Sequence, residues 1–128
     1  MSYPNDRNYS ADHEWVVVLG NVGTVGITHH AQDALGEIVH VELPKVGKTV
    51  KKGDSIAEVE SVKAVSGVYT PVSGKIVAVN DALGGNEGAV NSDPHASGWL
   101  FKVELSQPDE LAALMDSAAY STHAGDDF

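Results

Sequence analysis

The sequence predicts a mainly β domain, a sandwich or flattened barrel of short strands, with short helices and one C-terminal helix. Three observations predict it. Apolar and polar residues alternate in short runs, as at Trp15, Val17 and Leu19 and again at Trp99, Phe101, Val103 and Leu105. Turn signals built on Gly, Asn and Pro recur about every eight to twelve residues. Helix signals are confined to two stretches, one after Thr28 and one after Pro108.

Taken in order, residues 1–12 are polar with no period and predict a loosely held arm. Glu14–Leu19 is a strand, Gly20-Asn21 a turn, and Val22–Ile27 a second strand. Thr28 caps a short helix over His29–Leu35, and Gly36 stops it. Ile38–Leu43 is a strand ended by Pro44. Turns at 45–47 and 51–54 flank Thr49-Val50. Ile56–Val59 and Val65–Thr70 form a hairpin around Glu60-Ser61-Val62-Lys63-Ala64. Its turn holds no Gly, Asn or Pro, which argues for type I geometry rather than a primed turn. Pro71-Val72-Ser73-Gly74 turns into a strand over Lys75–Val79. Residues 80–98, with Gly84, Gly85, Gly88, Pro94 and Gly98, read as a long irregular loop. The alternating run at 99–105 is the last strand. Pro108 starts a final helix, with Asp109 and Glu110 at its positive end and Leu111, Leu114, Met115 and Ala118 on one face. Residues 121–128 form a short acidic tail. The domain therefore spans 13–120. Gly47-Lys48-Thr49-Val50 and Gly74-Lys75-Ile76-Val77 form a weak internal echo.

The 128 residues suffice for one domain with one core, and 42% hydrophobic with 20% charged residues is a globular balance. A formal net charge of −10 disfavours nucleic acid and anionic membrane surfaces as partners. No cysteine is present, which excludes disulfides, thiolate catalysis and Cys-based zinc sites. The six histidines show no metal-ligand spacing, and no Gly-x-Ser-x-Gly elbow occurs, so neither a metal site nor intrinsic catalysis is expected. No apolar run approaches the roughly 20 residues of a membrane span. The N-terminus has neither a secretory core nor an Arg-rich amphipathic leader, so the expected location is cytoplasmic, or the mitochondrial matrix only if a transit peptide has been removed.

Glu60-Ser61-Val62-Lys63-Ala64 resembles a lipoyl-attachment hairpin, with Gly47, Val50, Gly53-Asp54 before it and Pro71-Val72-Ser73-Gly74 after it. The resemblance is to the H-protein family of the glycine cleavage system. It extends through His13-Glu14-Trp15-Val16, Val25-Gly26-Ile27-Thr28, Ala31-Gln32-Asp33, Leu35-Gly36-Glu37-Ile38-Val39, Val41-Glu42-Leu43-Pro44, Val90-Asn91, Asp93-Pro94 and Gly98-Trp99-Leu100. It covers nearly all of 13–120. A biotinyl domain would show Met-Lys-Met at this tip, and an acyltransferase lipoyl domain Asp-Lys-Ala.

The resemblance implies a barrel-sandwich hybrid, the quasi-twofold flattened barrel shared by lipoyl and biotinyl domains. It implies lipoic acid joined covalently to Lys63, with Glu60, Ser61, Val62 and Ala64 as the attachment motif. The arm would be roughly 14 Å long. It implies a non-catalytic carrier among three enzymes and a lipoate-attaching enzyme. The P-protein decarboxylates glycine and loads the aminomethyl group, the T-protein passes its carbon to tetrahydrofolate, and the L-protein reoxidises the dithiol. Glu14, beside a large apolar ring, is the candidate acceptor for the ammonium of a loaded arm; its alternative is an ordinary solvated carboxylate. The family's usual acid after the following serine is replaced here by Gly67. Two other functions remain open: a relay that donates lipoate to other complexes, and an unmodified β-rich interaction module.

Overall fold

The computed structural model describes residues 3–125. The chain passes through β1 (Asn8–Tyr9), β2 (Glu14–Leu19), β3 (Val22–Ile27), α1 (His29–Leu35), β4 (Ile38–Glu42), β5 (Thr49–Val50), β6 (Ser55–Ser61), β7 (Val65–Tyr69) and β8 (Gly74–Val79). It continues through α2 (Ala89–Ser92), β9 (Phe101–Leu105) and α3 (Ser117–Ala124). Two antiparallel sheets result. One has six strands in the order β1-β2-β3-β9-β8-β5, and the other three, β4-β6-β7. They face each other without closing into a barrel. Inward residues of both, among them Val16, Val25, Val59, Val68, Ile76, Phe101 and Val103, form one buried core.

The alternation expected at Trp15, Val17 and Leu19 is corrected, because β2 is covered on both faces: Val16 lies in the main core, Trp15 and Val17 pack in an aromatic cluster, and Leu19 is exposed. The alternation expected in the last strand holds. In β9, Phe101, Val103 and Leu105 are buried and Glu104 is exposed. The helix over 29–35 forms for local reasons. Thr28 Oγ1 accepts from Ala31 N at 3.2 Å. The Gly36 amide closes the last turn on Gln32 O. The two echo segments pair with each other, Thr49 with Lys75 and Val50 with Gly74.

Four further expectations are corrected, for the N-terminal arm, the long loop, the C-terminal helix and the tail. Residues 3–12 are packed rather than loosely held: β1 pairs with β2, and Tyr3 and Tyr9 are buried. The Tyr9 ring stacks on Tyr120 at 4.7 Å, and the Arg7 guanidinium lies 4.7 Å from the Trp15 ring centre. Met1 and Ser2 lie outside the described residues. The loop at 80–98 contains a 3-10 turn at Asp81–Leu83 and the short helix α2.

The C-terminal helix is displaced. Pro108–Ala113 is a 3-10 turn, Leu114 is extended, and α3 starts only after Asp116, whose side chain accepts from Ala119 N. The cause is a backbone bridge, with Tyr9 N donating to Met115 O and Met115 N to Tyr9 O, both at 2.8 Å. It draws Met115 out of any helix. The 3-10 turn is tethered as well, because the Glu110 carboxylate accepts from Ser73 N and Ser73 Oγ. Of the predicted apolar face, Leu111 and Leu114 pack against the main core and Met115 against the aromatic cluster. Ala118 is exposed. The first residues assigned to the acidic tail, 121–124, belong to α3, which Gly125 terminates; residues 126–128 lie outside the described residues.

Candidate functional site

The hairpin β6–β7 stands in the small sheet with β6 as the middle strand, and its last ladder pair is Glu60 with Val65. Ser61, Val62, Lys63 and Ala64 make the tip. No residue in it has positive φ, in keeping with its lack of glycine. Ser61 is nearly buried and organises the turn. Its N donates to Ala64 O at 2.8 Å, and its Oγ accepts from Ala64 N at 3.0 Å and Lys63 N at 3.3 Å. A hydroxyl that replaces a turn's missing backbone partners is a common use of serine.

The tip is also tied to its neighbour in the fold. Val62 N donates to Glu37 O at 3.1 Å, in the turn between α1 and β4. Lys63 is exposed, and its stem leans on the same turn. A Cβ added at Gly36 would stand 3.4 Å from Lys63 Cε and 3.9 Å from Nζ. Gly36 thus leaves a shallow bed for the lysine stem, at φ 86°, where glycine is favoured. Val62 and Ala64 flank the lysine as exposed, uncharged neighbours. Glu60 is exposed one register below, between His40 and Val65.

Glu14 is placed elsewhere. It is 2% exposed, which excludes the solvated-carboxylate alternative. Ser10 Oγ donates to Oε1 at 2.6 Å, and Tyr69 N donates to Oε2 at 3.3 Å. Burial pushes its carboxyl up to about 7, against the opposing pull of the Ser10 and Tyr69 hydrogen bonds. Tyr69 ends β7 six residues past Lys63, about 20 Å along an extended strand. Glu14 and Lys63 therefore mark the two ends of the β7 edge and do not touch. Gly67 lies between them. A Cβ there would meet Ser55 Oγ at 2.9 Å, so the Ser55 hydroxyl fills the space that the stem of an acid at 67 would need.

Asn91, which entered the sequence reading only within the matched Val90-Asn91 pair, proves central to the turn under the tip. Its side chain bonds Gln32, Gly36 and Ile38. All three partners are more than fifty residues away in sequence, so no local pattern announces them. Among the described residues, no group of three His, Cys, Asp or Glu side chains is arranged to hold a metal ion. No helix among them is long and apolar enough to cross a membrane.

Two facing β sheets that present one lysine on a pinned hairpin tip define a lysine-presenting carrier-type domain. The comparisons with known proteins agree. The family model described as Glycine cleavage H-protein matches residues 7–127. The chain belongs to the glycine cleavage H-protein family. It is 49% identical over 118 residues to a glycine cleavage system H protein of Myxococcus xanthus, covering 92% of each chain. It is 52% identical over 114 residues to that of Thermotoga maritima, covering 89% of this chain and 92% of the relative. The crystal structure of a glycine cleavage system H protein from Mycobacterium marinum superposes with a TM-score of 0.88 at 40% identity, covering 96% of this chain and 99% of that one.

Proposed function

We propose that this chain is the lipoyl carrier of the glycine cleavage system, with Lys63 as the attachment site. The observation that carries the assignment is the tip itself: an exposed lysine whose root is fixed by Ser61 and by the Val62–Glu37 bond, with a glycine bed beneath its stem. The residues fit the group. The amine is accessible to an attaching enzyme, its neighbours are uncharged, and the bed at Gly36 admits a long aliphatic arm.

In attachment, Nζ gives up a proton and attacks an activated lipoyl carboxyl supplied by the attaching enzyme. A C–N amide bond forms, the activating group leaves, and the positive charge of Lys63 is lost. Once bound, the lipoyl group supplies a disulfide able to take up an aminomethyl group at sulfur. The chain's own residues hold the root of the arm and contribute no catalytic group. The partners are the P-, T- and L-proteins and the lipoate-attaching enzyme, and the expected compartment is the cytoplasm, in line with the bacterial origin of the relatives.

The test is the intact mass of protein purified from its own host, with Lys63 located by peptide mapping. One lipoyl adduct on Lys63 is expected; an unmodified chain from cells that lipoylate other proteins would refute the assignment. Turnover with purified P-, T- and L-proteins, set against a lipoyl-transfer assay, separates the carrier from a relay.

Glu14 is the proposed acceptor for the ammonium of the loaded arm. An arm of roughly 14 Å, lengthened by about 3 Å through its S–C–N adduct and closed by a hydrogen bond of about 3 Å, spans the roughly 20 Å to the Tyr69 end of β7 when it lies fully extended along that strand. A group that titrates near neutrality from a buried place can meet a cation by ionising. Glu14→Gln should shorten the lifetime of aminomethyl-loaded protein in the absence of partners while leaving lipoylation normal. The same variant changes the pH dependence of stability. Because the folded value, about 7, lies above the ordinary 4.5, the Glu14 contribution is fully present below pH 4.5 and is lost as pH rises through 7. At about 1.4 kcal/mol for each pH unit of displacement, the loss is about 3 kcal/mol. His95, held down to about 4 mainly by burial, has the opposite slope. The difference in unfolding free energy between the variant and the parent should therefore grow in favour of the variant from pH 4.5 to 7. Equal loaded lifetimes would remove Glu14 from the arm's chemistry, and parallel pH profiles would remove its titration.

A further inference from the structure

We infer that Asn91 is a positioning residue for the lysine-bearing hairpin, acting through the peptide unit between Glu37 and Ile38. The inference rests on Lys63 being the attachment site. That peptide is trans, so its C=O and N–H point in opposite directions. Its carbonyl accepts from Val62 N at the hairpin tip, at 3.1 Å. Its N–H donates to Asn91 Oδ1 at 2.8 Å. One peptide plane is thus gripped from both sides, by the residue before Lys63 and by Asn91.

The Asn91 amide group secures the neighbouring plane as well. Nδ2 donates to Gly36 O at 2.8 Å and to Gln32 Oε1 at 2.9 Å. Both peptides of the turn that supports the lysine stem are therefore fixed by one side chain. Its Cα is held by α2, whose Ala89 and Val90 are buried in the main core. Hydrogen bonds at the two ends of one amide polarise each other, so the loss of one weakens the other. Without Asn91 the plane between Glu37 and Ile38 keeps only the packing of Ile38 and the Val62 bond on its carbonyl, and that Val62 contact, which sets the root of the arm, weakens. The stretch at 80–98 then has a purpose: it delivers one amide side chain to the back of the attachment site.

A structural role alone would lower stability throughout the chain. A positioning role loosens the tip selectively. The experiment combines amide exchange on the intact chain with lipoyl attachment by a lipoate ligase given lipoate and ATP. Asn91→Ala should speed exchange at Val62 about tenfold, while Ile76 and Val103 stay within about twofold. The attachment kcat/KM of the unmodified chain should fall about tenfold, mainly through kcat, because the amine is misplaced rather than hidden. Asn91→Asp keeps the acceptor for Ile38 N and loses the donors, and should fall between the parent and Asn91→Ala on both measurements. Exchange at Val62 and attachment both within about twofold of the parent would overturn the inference. So would equal acceleration at Val62, Ile76 and Val103 in both variants. A parent chain that takes no lipoyl group on Lys63 refutes the attachment assignment instead, and exchange at Val62 then decides the role of Asn91.

Discussion

Lys63→Arg should carry no lipoyl group and give only background turnover with purified P-, T- and L-proteins, at unchanged stability. The guanidinium stays protonated at any working pH, so it offers no lone pair for amide formation. The hairpin keeps its geometry, because the bonds that shape the tip come from Ser61, the Lys63 backbone N and Val62 N. The Lys63 side chain is exposed, and substitutions at such positions usually change stability by about 0.5 kcal/mol or less. Activity and the thermal midpoint should therefore separate completely. Substantial glycine cleavage by this variant would refute Lys63 as the attachment site. A large fall in midpoint with lost activity would mean that the tip depends on the lysine for its structure.

Gly74→Ala should abolish the native fold or leave it on the edge of unfolding. Gly74 opens β8, where it pairs with Val50 on one side and Leu105 on the other. A Cβ there would overlap the Glu104 carbonyl oxygen and stand 2.9 Å from Glu104 C and 2.8 Å from Val103 Cγ1. Two of these three atoms are main chain in the neighbouring strand, so no rotamer change relieves the contact. Separating β8 from β9 detaches β8 and β5 from the other four strands of the large sheet. A cost of about 4 kcal/mol or more is expected, a large share of a small domain's stability. Chemical denaturation of the purified variant measures it, and a midpoint close to the parent's would show that the two strands can part without loss.

Where structure is local, it was legible in the sequence. The helix at 29–35 has its cap and stop within the segment, at Thr28 and Gly36. The hairpin strands were legible in their β-favouring composition, but β6 runs on through Glu60 and Ser61, which the sequence assigned to the turn, and a register shift between Ser55 and Ala57 breaks its alternation. Lys63 stood out through its neighbours rather than through itself. The failures share one physical cause, partners distant in sequence. Tyr9 looks like part of a polar arm until Tyr120 and Met115 arrive against it. The period of Leu111, Leu114, Met115 and Ala118 is genuinely helical, but the bridge to Tyr9 overrides it. Asn91 has three side-chain partners, none of them local. The separation of Glu14 from Lys63 was likewise unreadable, because it depends on which way β7 runs past β2.

The strand order of the large sheet also sets when this protein can exist during its synthesis. β9, near the C-terminal end, lies between β3 and β8, pairing Val25 with Phe101 on one side and Ile76 with Val103 on the other. Until about the hundredth residue has left the ribosome, the two hydrogen-bonded edges that flank β9 stay bare, and bare edges invite pairing with other chains. The β6–β7 hairpin needs only local contacts and can form much earlier, but α2, which brings Asn91 to the turn, follows it by some twenty residues. A growing chain therefore shows its lysine before it can hold that lysine still. An attaching enzyme that tells a seated tip from a loose one would act only on chains that have finished folding, which makes the timing of modification a natural check on assembly.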